Sequence, residues 1–365
     1  MRKVIITAPS LNPSLNVSGI SSVVRFIIEN NKEVEYVHFE LGKQDSEHRG
    51  LRSIRRLMSC YRKWKALLMS CQQAEEKPLV HYSFPLSVPS ILRDPWFMFY
   101  AKHHDYNMIV HLHGGLFLTA KHTPWFLKMI LKWVFSWNVP FIVLSEMEKK
   151  IVEERYGAKN VHILPNCVSI PAEEECHKHD DSCPLQLGYL GRIEPNKGMT
   201  ELLEACKMLN EKGIPFVLHL AGKEQTEGEY IPLFQQMSGD KFHYAGLVSG
   251  EKKQQFLQTL DLLVMPTYFE GLPMSLLECM SYGVAPVITD VGSVSTVVKD
   301  GDNGVIIQLK DSQSIVNAIA YLHSHRDILA SLGRNARETI VRQFSPKEYS
   351  QTLNRIYDNP KNAFQ

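Results

Sequence analysis

The feature that most limits what this chain can fold into is a short apolar run that ends at a turn residue, precedes an amphipathic segment, and recurs. Such runs lie at 4–7, 108–112, 141–144, 161–166, 185–190, 216–221, 242–245, 262–265 and 305–308, each of strand length and short for a helix. Amphipathic segments follow or separate them at 20–29, 146–156, 199–210, 312–323 and 326–344. Alternation of this kind is the pattern of doubly wound α/β sheets, and it occurs in both halves. With 365 residues, 44% of them hydrophobic and 22% charged, the chain can bury two cores. The acidic, irregular stretch 171–184 reads as the boundary, giving domains at 1–170 and 185–345.

The most informative stretch is 261–291, DLLVMPTYFEGLPMSLLECMSYGVAPVITDV. A strand from Leu262 to Met265 is stopped by Pro266, and a loop carries Glu270 and Gly271. Pro273 then stands at the expected first helical position, and a helix from Met274 to Tyr282 closes on Gly283. Strand, loop and helix N-terminus in that order make an anion site, with backbone N–H groups aimed past the carboxyl end of the strand. Two carboxylates, Glu270 and Glu278, frame it. Beside a phosphate they would repel, so they are suited to accept hydrogen bonds from sugar or ribose hydroxyls; taken alone, Glu278 reads as a solubilising surface residue.

Other strand ends carry chemistry as well. The turn 191–198, GRIEPNKG, sets Arg192 and Lys197 between two glycines just before a helix, a second cationic anion site. In the first half a strand from Met108 to Leu112 ends in His113, Gly114 and Gly115, where an open α/β sheet presents residues to a ligand. His111 lies on the same face of that strand but deeper, and the pair lacks the further ligands a metal needs. Gly19 opens the amphipathic segment 20–29 after a loop rich in Pro, Asn and Ser; no G-x-G-x-x-G is present. Gly222 and Gly246 end two further strands, and Ser145 reads as an N-cap. Asp300, Gly301 and Asp302 spell D-x-D, but within D-G-D-N-G they read as a turn.

The run from Pro266 to Glu278, P-x-x-x-E-G-L-P-x-S-L-L-E, closely resembles the E-x7-E signature of the family 4 retaining nucleotide-sugar glycosyltransferases, of glycosyl transferases group 1. The G-R-x-x-x-x-K-G turn resembles that family's donor-diphosphate clamp. Pro165, Asn166, Cys167 and Val168 resemble its P-N-G-V, with cysteine for glycine, and Ser18 with Gly19 stands where two glycines are usual. The resemblance implies the GT-B fold, two Rossmann-like doubly wound domains facing a central cleft, with the last segment, 346–365, crossing back to the first. It also implies roles. Glu270 and the following Gly271, Leu272, Pro273 and Met274 would hold the transferred sugar, Glu278 the ribose, and Arg192 and Lys197 the diphosphate. His113 would face the sugar, Val248 the base, and Gly19, Asn166 and Gly222 would add donor contacts. The implied activity is retaining transfer from a nucleotide-diphosphate sugar to a glycan or polyprenyl-linked acceptor, with no metal or other cofactor, in bacterial surface polysaccharide synthesis. Two other classes stand as alternatives: a GT-B nucleotide-sugar epimerase, which would share the fold but is disfavoured by the Glu270 to Glu278 signature, and a non-catalytic nucleotide-sugar-binding subunit, which would keep the phosphate clamp.

Residues 49–65, from Arg49 to Lys65, hold seven Lys or Arg residues, and no acid occurs from His48 to Ala74. At the helical repeat Leu51, Ile54, Leu57, Met58, Tyr61, Trp64 and Leu68 share one side and the basic residues the other. This fits a core-packed helix with a solvated basic face, or contact with an anionic membrane surface that weakens with salt. Residues 122–137, from His122 to Trp137, bring three tryptophans with Lys128 and Lys132, suited to a membrane interface or to a buried helix. A formal charge of +1 gives no global pull toward nucleic acid. Seven irregularly spaced cysteines, a start that reads as a strand and not a signal peptide, and no spanning apolar run point to the cytoplasm, peripheral on the membrane. Cys176, His177, His179 and Cys183 in the linker follow no common zinc spacing and read as a loop.

Overall fold

The structure, a computed structural model, describes residues 1–12, 15–16, 18–42, 51–120, 122–176 and 184–359. The elements run β1 (Arg2–Ala8), α1 (Gly19–Asn30), β2 (Val34–Glu40), α2 (Leu51–Gln73), β3 (Leu79–Phe84), α3 (Val88–His103), β4 (Met108–Leu112), α4 (Leu116–Thr119), α5 (Trp125–Phe135), β5 (Phe141–Val143), α6 (Glu146–Tyr156) and β6 (Val161–Ile163). They continue with β7 (Leu185–Leu190), α7 (Met199–Glu211), β8 (Phe216–Ala221), α8 (Ile231–Ser238), β9 (Phe242–Gly246), α9 (Gly250–Thr259), β10 (Leu262–Met265), α10 (Met274–Ser281), β11 (Ala285–Thr289), β12 (Val305–Ile307), α11 (Ser312–Ser324), α12 (Arg326–Gln343) and α13 (Pro346–Asp358). Two compact units result: unit 1 is Met1–Asn166 with Pro346–Gln365, and unit 2 is Cys167–Ser345.

Each unit holds a parallel sheet of six strands among the described residues, ordered β2-β1-β3-β4-β5-β6 in unit 1 and β12-β11-β10-β7-β8-β9 in unit 2. Parallel strands joined by helices are covered on both faces, which is why β10 is a continuous apolar run and β1 is buried from Val4 to Ala8. In unit 1 the register sets Ile5 beside both Val37 and Val80, and Ser83 beside His111. Both orders reverse at the first strand of the unit. β1 has β2 on one side and β3 on the other; β7 has β10 and β8. Where the order reverses, successive helices leave toward opposite faces and the strand ends are left open to a ligand.

Helix boundaries follow local chemistry. Ser18 caps α1 by accepting from the Ser21 N–H at 3.2 Å, and Ser145 caps α6 by accepting from that of Glu148. The last helix, α13, returns to unit 1. Its buried Tyr349, Leu353, Ile356 and Tyr357 form an apolar stripe, with Tyr349 edge-on to Phe26 of α1 at 5.9 Å.

Several elements differ from the sequence expectations. Strands β2, β3 and β11 and helices α3, α4, α8 and α9 are additional to them. Periodicity also places Leu57 and Met58 on the buried side of α2, whereas they are 38% and 54% exposed; among the residues of α2 whose side chains are described, the buried ones are Trp64, Leu68 and Cys71. The cause is length. Twenty-three helical residues extend about 35 Å, while the six-residue strand β3 spans about 20 Å. Among the described residues the fully buried contacts of α2 begin at Trp64, which lies 4.9 Å from Phe39 and 6.4 Å from Tyr82. Arg49, and three members of the linker set, His177, His179 and Cys183, lie outside the described residues. Among the described residues no group of three or more His, Cys, Asp or Glu is arranged to hold a metal, and no helix is long and apolar enough to cross a membrane.

Candidate active site

The switch point of unit 2 lies at the carboxyl ends of β7 and β10, which are neighbours in the sheet and far apart in sequence. The loops leaving these strands are the cationic turn 191–198 and the carboxylate loop 266–273. They are sewn together. The Tyr268 N–H donates to the Asn196 carbonyl at 3.0 Å, and Lys197 Nζ forms an ion pair with Glu270 while reaching the Phe269 carbonyl at 3.5 Å. Gly198 has a φ of +73°, and a Cβ there would lie 2.1 Å from the Pro266 carbonyl oxygen, so only glycine lets the two loops approach this closely. Thr267 Oγ1 lies 3.4 Å from Glu270 Oε1, and the Ser293 N–H holds the Gly271 carbonyl at 2.8 Å.

The second carboxylate is held in the same manner. Glu278, on α10, takes Lys253 of α9 at 2.7 Å. Each acid of the E-x7-E pair therefore has its own lysine. Pro273 is the N-cap of α10, not its first helical residue, with φ −65° and ψ 127°, and it has no N–H to offer. Helical N–H groups begin with Met274 and Ser275; no side chain caps them and no acid stands in the first turn. The Leu272 side chain is buried. α7 likewise starts without a side-chain cap.

Arg192 is exposed immediately after β7, and its carbonyl accepts from the Tyr189 hydroxyl at 2.6 Å. Gly222 follows β8 with a φ of +142°, and a Cβ there would stand 1.7 Å from the Gly191 carbonyl oxygen. Its close approach is to the backbone beside Arg192. Val248 is half-buried in the loop before α9, the helix that supplies Lys253.

Unit 1 presents a different arrangement, running from the middle of β3 to the carboxyl end of β4. The His111 ring lies 4.1 Å from that of His113, and its Nδ1 is 3.1 Å from His81 Nε2. His81 Nδ1 in turn meets the Tyr357 hydroxyl of α13 at 2.6 Å. Both His113 ring nitrogens are covered and have no hydrogen-bond partner among the described residues, as is true of His111 Nε2. Burial pushes the pKa of His81 and of His113 down to about 3, and burial with the neighbouring imidazoles holds His111 well below its usual range. The stack is neutral at neutral pH.

Gly19 is exposed, the first residue of α1, and a Cβ there would meet nothing within 4 Å; packing does not require glycine at this place. Its neighbour Ser18 is a cap, which gives the serine a local purpose. Asn166 is 5% exposed at the end of unit 1. Cys167 donates its thiol hydrogen to the Phe344 carbonyl at 2.8 Å, and burial raises its pKa to about 12. It is a packed residue and not a nucleophile. Asp300 accepts from the Ile306 N–H at 2.9 Å, and Asp302 from Asn335, in the turn before β12.

Sequence reasoning missed Lys253, Thr267, His81 and Tyr357. Lys253 and Tyr357 lie on helices 25 and 276 residues from the groups they hold, so no local signal marks them.

Residues 177–339 match the family model described as Glycosyl transferases group 1. The capsular polysaccharide biosynthesis glycosyltransferase CapM of Staphylococcus aureus is 28% identical, covering 51% of this chain and 49% of its own. The UDP-Gal:alpha-D-GlcNAc-diphosphoundecaprenol alpha-1,3-galactosyltransferase of Escherichia coli is 24% identical over 65% of each. The chain spans about half the length of the first curated relatives it matches. Among solved structures, Anabaena HepE in complex with UDP-glucose superposes with a TM-score of 0.73 at 14% identity, covering 98% of this chain and all of that one. At that identity the likeness is one of fold, and the fold is GT-B. The region that holds both carboxylates and the cationic turn is thus the part of the chain that is similar to the group 1 glycosyltransferases.

Proposed function

We propose that the protein is a retaining, metal-independent glycosyltransferase, moving a sugar from a nucleotide-diphosphate sugar to a glycan or lipid-linked acceptor in bacterial surface polysaccharide synthesis. The observation that carries this is the pairing of Lys197 with Glu270 across two loops at the unit 2 switch point. Names of relatives support the setting: one acts in capsule synthesis, another on a diphosphoundecaprenol-linked sugar.

The ion pairs suggest how the site accepts its donor. A diphosphate arriving beside Arg192 and the N-terminus of α10 draws Lys197 from Glu270 and frees that carboxylate for the sugar hydroxyls. Ribose hydroxyls compete in the same way with Lys253 for Glu278. As the bond from the anomeric carbon to the phosphate oxygen breaks, Arg192 and Lys197 carry the growing negative charge. The acceptor oxygen bonds to that carbon on the face the diphosphate leaves, and its proton passes to a phosphate oxygen, so configuration is kept. No side chain need act as a nucleophile. His113, neutral, offers a sugar hydroxyl one N–H and one lone pair. The protein then works at the inner face of the cytoplasmic membrane, where a lipid-linked acceptor presents its sugar.

Ligand-induced thermal shift with a panel of nucleoside diphosphates and their sugars, with and without EDTA, tests this reading. One nucleoside diphosphate and its sugar should stabilise the protein by about 2.7 kcal/mol at a hundredfold excess over Kd, unaffected by EDTA and lost in Arg192→Ala. Silence across the panel, with Arg192→Ala indistinguishable from the parent, would overturn it.

A further inference from the structure

Unit 1 carries an aromatic and basic outer surface that the site residues do not use. On α3, Val88, Leu92, Trp96 and Phe99 succeed one another at helical spacing, and all are exposed, Trp96 by 63%. The other side of α3, with Ile91, Phe97, Met98 and Ala101, is buried in the core. A helix apolar on both sides lacks the polar outer stripe of an ordinary surface helix. α5 repeats the pattern. Leu127, Leu131, Val134 and Phe135 face inward, while Trp125, Phe126, Met129 and Trp133 are exposed, Trp125 by 74%.

The two stripes join, since the Phe99 ring lies 5.8 Å from that of Trp133. α2 flanks α3 through Tyr61, edge-on to Phe97 at 5.1 Å, and adds exposed Leu57 and Met58 beside Arg55, Arg62 and Lys63. Of the five tryptophans, Trp64 and Trp137 are buried and the other three all lie on this surface.

Charge identifies the partner. Helices α2, α3 and α5 hold ten Lys or Arg residues and one acid, Asp94, which is fully buried and paired with Arg93. That is a formal +9 in a chain whose total is +1, so the remaining residues are acidic by eight charges. Protein interfaces are depleted in lysine, yet Lys128 and Lys132 stand exposed among the α5 aromatics. Tryptophan with lysine and no exposed acid is the composition of a surface that meets anionic headgroups.

We propose that the outer face of α3 and α5, flanked by the basic side of α2, docks unit 1 on an anionic lipid bilayer, its tryptophans seated at headgroup depth. This deepens the transferase reading and rests on it for purpose, because a lipid-linked acceptor holds its diphosphate at that same surface. Flotation of the full chain with vesicles of phosphatidylethanolamine and phosphatidylglycerol, against phosphatidylcholine alone, tests it. At low salt the protein should float with the anionic vesicles, with a blue shift of tryptophan emission, and bind the neutral ones about tenfold more weakly or worse. The double variant Trp96→Ser, Trp125→Ser should lose about tenfold at any salt. Lys128→Gln with Lys132→Gln should lose a similar factor at low salt only, as screening removes the remainder.

No flotation at low salt would overturn the proposal, as would flotation that the tryptophan variant leaves unchanged. So would a parent that self-associates through this face in sedimentation and ignores vesicles. The altered side chains are exposed, so thermal shift with nucleoside diphosphates should be unaffected in every variant. Lost vesicle binding with that shift intact in the parent removes the docking surface alone; vesicle binding with no nucleotide shift removes the transferase reading alone.

Discussion

The two sheets share strand number, parallel sense and a first strand flanked on both sides, yet the groups at their ligand-facing ends differ in electrical character. Unit 2 has two acids, each held by a lysine: Glu270 by Lys197 and Glu278 by Lys253. Unit 1 has three stacked imidazoles, all neutral, and a tyrosine hydroxyl. Topology supplies the crevice, and the side chains at the strand ends decide what it can hold. Exchangeable ion pairs suit a charged ligand, which replaces one partner with another at little cost. A neutral buried stack suits uncharged hydroxyls and is fixed by burial, not by countercharge.

This contrast can be broken most sharply at Glu270. In Glu270→Gln we expect sugar transfer to fall about 10²–10³-fold while nucleoside diphosphate affinity persists, because Lys197 is left free for phosphate. Transfer at the parental rate would remove the charged switch point from the reaction. Next in size is the clamp. Arg192→Ala should weaken nucleoside diphosphate binding roughly 10–100-fold by titration calorimetry, and His113→Ala should leave it unchanged. Equal losses in both variants would erase the distinction between the two units.

The neutral stack makes a pH prediction. The folded pKa of His81, about 3, lies below the ordinary value of about 6.5. Between these values the unfolded chain binds a proton that the folded chain refuses, so this stability is complete above about pH 6.5 and is lost as pH falls toward 3. The slope is about 1.4 kcal/mol per pH unit for each such histidine. Urea unfolding between pH 7 and 5 should steepen accordingly and be flatter in His81→Leu; an unchanged slope in that variant would mean the imidazole is not held neutral. The smallest effect is expected at Lys253. That pair is partly exposed, so Lys253→Met should weaken nucleoside diphosphate binding by about two- to fivefold. A loss matching that of Arg192→Ala would move Lys253 into the clamp.

Much of the charged site could be read from the chain because it is local. Glu270, the α10 N-terminus and Glu278 fall within one strand, loop and helix, and the turn 191–198 is continuous. What joins the turn to the loop, and Glu278 to Lys253, is contact across the sheet, which leaves no periodic trace. The neutral site was less legible. β3, which supplies His81, is a short run interrupted by His81 and Ser83 and without the glycine that marks other strand ends, and Tyr357 arrives from the far end of the chain. β11 was obscured by Pro286 within it, a residue that ordinarily argues against an inner strand. α3 was obscured by Pro95 and by exposed aromatics that blur its amphipathic period.

The return of α13 to unit 1 has a consequence for synthesis. Unit 2 is one unbroken segment, Cys167–Ser345, whereas the helix that anchors His81 is made after all of it. On the ribosome, unit 2 can complete its core first, while the earlier-made unit waits with Phe26 and the imidazole face uncovered. A chain halted just before Pro346 would carry a finished unit 2 and an unfinished unit 1, the state a chaperone would be asked to hold.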